Sequence, residues 1–282
     1  MKKFTYFFAA FLPFLLALGI QFIAMFFTYG MGVLQLSFDS FTMNDIFELL
    51  MNMDINYVMM VIYALIGITV FGMWYYHSCG GDFLPNPSKT FSVLQFSGVV
   101  ILVPGAQFMC SYLIAILSMI FPSWLEQYEE LINSAGLDSS LTVPMFLYAV
   151  LFGPICEELI FRGVTMRLSR QALPFWLANI MQAALVGADH LIWLLGCYAF
   201  ALGILLGFIC EKGGSIYYSI LLHILFNFWG TVISELLSGV EDTLIMGILM
   251  FVGMLISLAI GSLLFYLGLH QKKAKSSSGA TL

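Results

Sequence analysis

Charge is what this chain has least of. Of its 282 residues, 10 are Lys or Arg and 16 are Asp or Glu, 9% in all against 61% hydrophobic. Soluble domains carry about 25% charged residues, so a water-soluble globule is excluded and lipid must solvate the apolar surface. The formal charge is −6, but most of the acids fall in a few loops and read as topology. No nucleic-acid partner is expected. Five cysteines (Cys79, Cys110, Cys156, Cys197, Cys210) show no CxxC or Cys/His metal spacing. Most lie in apolar runs as ordinary buried thiols, and no disulfide framework is implied. There is no internal repeat, no separate soluble domain and no HExxH-type spacing.

What is present is a series of long apolar runs. A helix needs about 20 apolar residues to cross the hydrocarbon core, and eight stretches qualify: roughly 4–29, 56–77, 93–121, 142–164, 172–189, 191–210, 214–236 and 243–269. The fold class is therefore all-α, a polytopic membrane helical bundle of about eight transmembrane helices. The start, 1-MKKFTYFFAAFLPFLLALGIQFIAMFF-27, is basic like a signal peptide. Its apolar run is too long for one and no small-residue cleavage site follows, so it reads as a retained first span. Pro104 predicts a kink in the third span, and the fifth, with Asn179 and Gln182, is the least apolar.

With the N-terminus in the cytoplasm and eight alternating spans, all of Lys2, Lys3, Lys89, Arg162, Arg167, Arg170, Lys212, Lys272, Lys273 and Lys275 fall on the cytoplasmic side, as the positive-inside rule requires. The acidic loops fall outside, and an odd number of spans would break the pattern. The expected location is the cell membrane, multi-pass, with both termini cytoplasmic. Residues 43-MNDIFELLMNM-53 and 122-PSWLEQYEELINSAG-136 predict short interfacial helices on the outer face, the second stopped by Gly136. The tail 274–282 is small and polar and reads as disordered. Three regions follow: 1–140, spans one to three with two outer interfacial segments; 141–240, spans four to seven; and 241–282, the last span and its tail.

Against this background 154-PICEELIFRG-163 is anomalous. Ionisable groups inside a membrane are costly unless paired or used. Glu157 and Glu158 are placed near the cytoplasmic end of span four. Glu158 and Arg162, four apart, share a helix face as an acid–base pair. Glu157 points ~100° away and is the freer carboxylate. Pro154 removes one helical hydrogen bond just before them. In 223-HILFN-227, His223 and Asn227 share a face of span seven at a depth compatible with Glu157. A third polar pair, 189-DH-190, lies between spans five and six. A lone Asn or His in a bundle often only bonds a neighbouring helix, but an intramembrane glutamate pair without a role is pure cost. Together Glu157, His190, His223 and Asn227 hold the elements of a hydrolytic site: groups to deprotonate water and groups to stabilise an oxyanion. The same four could bind a divalent metal, although an Asn is a poor zinc ligand.

The order EExxxR, a later histidine, then HxxxN, in a bundle of about eight spans, resembles the CAAX-protease and bacteriocin-processing family (ABI or CPBP), similar to the Rce1-type prenyl-protein endopeptidases. The motifs are 157-EELIFR-162, followed by Gly163, and 223-HILFN-227. The resemblance covers roughly 140–235. The middle motif, FxxxH in the family, reads 186-VGADH-190, with Val186 in place of the aromatic. The resemblance implies an intramembrane glutamate-type endopeptidase without a catalytic metal or other cofactor. Glu157 would activate water with His190, His223 and Asn227 would stabilise the oxyanion, and Glu158 with Arg162 would support the site. The implied substrate is a peptide or membrane-associated protein, in peptide maturation or bacteriocin self-immunity. An inactive scaffold of the same fold that regulates a membrane protein partner is the alternative, and a proton-coupled transporter a third. Simple alternation places His190 near the outer end of span five, away from Glu157.

Overall fold

Helix is the only regular structure among the described residues, as a membrane demands: a backbone without water must satisfy its own hydrogen bonds. The computed structural model describes residues 2–35, 42–78, 91–134, 141–190, 192–234 and 243–278. Helices α1 (Lys2–Ala9) and α2 (Leu12–Gln35) form one apolar column interrupted at Ala10 and Phe11. Pro13, in the first turn of α2, has no N–H and its ring crowds the Ala9 carbonyl, which accounts for the break. The short α3 (Met43–Met51) begins at a reciprocal cap: Thr42 N donates to Asp45 Oδ2 at 2.7 Å and Asp45 N to Thr42 Oγ1 at 3.4 Å. Then come α4 (Met53–Ser78), α5 (Val93–Ile120) and the second short helix, α6 (Pro122–Ser134). The stop expected at Gly136 lies outside the described residues.

The segment Val143–Arg170, here α7, is a composite helix described below. It is followed by α8 (Phe175–Asp189), α9 (Trp193–Gly213), α10 (Ile216–Phe228, extended by a π-helical turn at Trp229–Ile233) and α11 (Leu244–Ser278). Gly214 ends α9 in the left-handed conformation, φ 71°, where a side chain would be strained. Ser215 then caps α10, its hydroxyl accepting from Tyr217 N.

Seven helical stretches among the described residues are long and apolar enough to cross a membrane. The fifth expected span is not one of them, since α8 has only 15 residues, or ~22 Å. It carries the chain back across the bundle all the same. Arg170, closing α7, pairs at 3.2 Å with Glu211 near the end of α9, so those two ends lie together. Between them α8 runs antiparallel to α9, with Asn179 at Ile204 and Gly207, Ala183 at Gly203, and Gly187 at Gly196. The direction of the chain thus alternates through α7, α8 and α9. The protein is a multi-pass membrane bundle.

Two expectations are corrected. Span four does not stop near residue 164 but continues to Arg170, because Arg167 and Arg170 extend the helix past its apolar window. That moves Glu157 to mid-helix rather than near the helix end. The tail is helical through Ser278 rather than disordered from 274. Residues 279–282 lie outside the described residues. Pro104 sits inside a continuous α5, where the Ser257 hydroxyl of α11 donates to the Ile101 carbonyl and accepts from Gly105 N at 2.9 Å.

Two apolar cores result. One joins α2, α4 and α7 around Phe71, Ile160 and Phe161; the other joins α5, α9, α10 and α11 around Leu206, Leu222 and Phe265. The polar residues of α7 and α10 meet at the boundary between them.

Candidate active site

Helix α7 changes register twice. Two π-helical turns, Leu147–Phe152 and Leu159–Thr165, flank a single stretch of α-helix, Gly153–Glu158. Such turns, each with one residue more than an α-helical turn, re-aim side chains and recur at functional sites. Both glutamates lie at the end of the α-helical stretch and point to different surroundings.

Glu158 is fully buried. Its Oε1 lies 2.9 Å from Arg162 Nη1 and 2.9 Å from His223 Nδ1. Arg162 is also buried and its Nη2 donates to the Gly203 carbonyl of α9 at 3.2 Å. Gln182 of α8 donates to that carbonyl at 2.9 Å and to Asn179 Oδ1 at 2.7 Å, and Asn179 donates to Ile204 O at 3.0 Å. This polar chain ties α7, α8, α9 and α10 together. It also explains Gly203 and Gly207: a Cβ at Gly207 would lie 2.0 Å from Asn179 Oδ1. The 203-GILLG-207 spacing therefore seats α8 against α9.

Glu157 faces elsewhere. Its side chain is 23% exposed, and its Oε2 lies 3.8 Å from His223 Nε2, beyond direct hydrogen-bond reach. It lines a cavity of about 70 Å³ with Arg162, Val186, His190, Tyr198, Ala199, Leu202, Gly203, Leu206, His223 and Asn227, room for a few water molecules. His190 is thus brought to Glu157, against the simple alternation. The reason is that α8 is short and Glu157 lies at mid-helix. His190 itself is the first non-helical residue after α8, and its ring folds back so that Nδ1 lies 2.9 Å from the Val186 carbonyl. A carbonyl only accepts, so Nδ1 carries the proton and Nε2 of the neutral ring holds the lone pair. For His223, Nδ1 donates to the Glu158 carboxylate and Nε2 faces Glu157. Asn227 Nδ2 donates to the Ala149 carbonyl at 2.8 Å, which leaves its second N–H.

The structure therefore gathers all four residues singled out from sequence, with Glu158 and Arg162 behind them. The cavity wall from α9 (Tyr198, Ala199, Leu202, Leu206) was not foreseen, for these residues read as ordinary apolar span. Asn179 and Gln182 carried a usable signal: amides three apart in a membrane helix, facing a GxxxG. Among the described residues no three His, Cys, Asp or Glu side chains form a group that could hold a metal ion.

Residues 139–229, from just before α7 through α10, match the family model for type II CAAX prenyl endopeptidase Rce1-like proteins. No curated protein and no solved structure matches the chain.

Proposed function

Starting from a chain that carries an Rce1-like domain of the CAAX-protease family over residues 139–229, a family of membrane endopeptidases, we propose that this protein hydrolyses a peptide bond within the membrane by a glutamate mechanism. The observation that supports this most is the division of labour between adjacent glutamates: Glu158 is consumed by Arg162 and His223, while Glu157 faces the cavity with His190 beside it.

In this reading a water in the cavity loses a proton to Glu157, with the Nε2 lone pair of His190 orienting or sharing that proton. The water oxygen attacks the scissile carbonyl. The oxyanion receives hydrogen bonds from His223 and the free N–H of Asn227. His223 donates from Nε2 only as the imidazolium, because its other proton is committed to Glu158. Glu157 then returns the proton to the leaving amine as the C–N bond breaks. Arg162 and Glu158 fix the His223 ring. The substrate is a peptide or a membrane-associated protein segment that reaches the cavity from the cytoplasmic side, the side to which the basic residues would assign both termini. Peptide maturation and bacteriocin self-immunity are the settings this chemistry suits.

The test is mass spectrometry of membrane peptides from cells expressing the wild type, Glu157→Gln or no protein. A cleaved peptide present only with the wild type identifies both reaction and substrate, and its yield should fall by roughly 10²–10⁴-fold in the variant. Identical peptides from wild type and variant, together with a cellular phenotype that needs the protein, would replace the protease with a scaffold that regulates a membrane partner.

A further inference from the structure

Helix α7 opens at Gly153–Pro154, and the opening has a hydrogen-bond consequence. The Gly153 N–H reaches back five residues to the Tyr148 carbonyl. A Cβ at Gly153 would lie 2.7 Å from that oxygen, so glycine alone fits the turn without displacement. The next donor in this register is residue 154, and its acceptor is the Ala149 carbonyl. Proline has no N–H, so that bond cannot form. A carbonyl orphaned away from water is expensive. Asn227 supplies the donor from another helix, its Nδ2 2.8 Å from the Ala149 oxygen.

We propose that Pro154 and Asn227 are a matched pair of positioning residues: the proline keeps the π-helical turn from continuing into a regular ladder, and the asparagine amide takes the place of the N–H the proline lacks. Between them they fix the backbone three residues before Glu157 and lock α10 to α7 at the level of the cavity. One N–H spent on Ala149 also orients the carboxamide, so that the second is held toward the cavity. A leucine at position 227 would fill the same space and leave the carbonyl bare. This pairing rests on the proteolytic reading only for what Glu157 does; the hydrogen-bond substitution is a property of the fold.

A double-mutant cycle on the full-length protein in lipid nanodiscs tests it. Asn227→Ala should lower Tm by about 2–5 °C, the worth of one intramembrane hydrogen bond in a protein of this size. Adding Pro154→Ala restores a backbone N–H and should recover at least half of the loss, so that the pair damages less than the two changes summed. Asn227→Leu, of similar size and without a donor, should be recovered in the same way. Simple additivity in both backgrounds overturns the pairing. Turnover of the peptide found by mass spectrometry provides the second reading. Pro154→Ala alone should lower kcat about ten- to a hundredfold with little change in KM, as expected when a base is misplaced but binding is intact. An unchanged kcat overturns the positioning role. If the wild type cleaves nothing, the proteolytic reading fails, and the Tm cycle still decides the pairing.

Discussion

Two of the candidate spans of equal length, 28 residues each, are Val143–Arg170 (α7) and Leu244–Gln271 (within α11). They could hardly be used more differently. In the most apolar stretch of α7, 44% of residues are buried inside the protein; in that of α11, 17%. Helix α11 is unbroken α-helix that lies antiparallel on α5 and turns Ile245, Leu249 and Ile256 outward. Helix α7 is broken into α- and π-helical pieces and buries Glu158, Arg162, Thr165 and Ser169. The contrast teaches where a membrane protein can hold charge. Regular backbone suits a helix that faces lipid, since it leaves no group unbonded. Irregular backbone and ionisable side chains are tolerated where several helices surround them and supply partners, as Gly203, Ala149 and Val186 do with their carbonyls.

The contrast can be broken most severely at its centre. Arg162→Ala leaves the Glu158 carboxylate buried without its cation, with only the His223 hydrogen bond remaining. The expected loss is about 3–5 kcal/mol, the usual cost of removing one member of a buried pair. It should be read as a large fall in folded yield and Tm in detergent. Replacing both members, Glu158→Gln with Arg162→Met, should be milder than Arg162→Ala alone, since no uncompensated charge remains. A double variant as unstable as the single one would show that the pair's net charge is not what matters.

A smaller effect is expected at the α5–α11 contact. A Cβ at Gly98 would lie 2.6 Å from Phe265 N and 2.8 Å from Gly261 O, backbone atoms that cannot step aside. Gly98→Val should therefore cost about 1–3 kcal/mol, seen as a lower Tm, with turnover per folded molecule unchanged because the cavity lies elsewhere. Loss of turnover without loss of Tm would show that the two regions are coupled.

The smallest effect lies outside the membrane. Hydrogen bonds from the Thr42 side chain and backbone hold the Asp45 carboxyl below its usual range. Because the folded value is depressed, this cap is fully in place above the ordinary aspartate range and is lost as pH falls through the folded value. Amide exchange in the first turn of α3 should rise at acid pH in the wild type and be fast at all pH values in Asp45→Ala. Exchange that ignores pH in the wild type would remove the carboxylate from the cap.

Several of these features are legible without coordinates. The apolar runs locate nearly every helix, because lipid imposes one length and one backbone solution on each span. The inequality of Glu157 and Glu158 follows from their angle on a helix and from the arginine four residues on. The fifth span is the instructive exception. Asn179 and Gln182 lower its apolarity because they bond α9 rather than lipid, and residue counting cannot distinguish a full crossing from a short helix packed along its neighbour.

By itself, then, the sequence determined that this is an all-helical membrane bundle and which glutamate has a partner, consequences of local spacing and of the cost of charge in lipid. Tertiary structure alone decided the depth at which those residues meet. His190 reaches Glu157 because α8 is short and its terminal ring folds back on Val186. The cavity has its wall because Gly203 and Gly207 let α8 and α9 close together. Asn227 has its task because an amide on α10 falls opposite a carbonyl that Pro154 cannot serve. Each depends on groups far apart in the chain, which no local periodicity records.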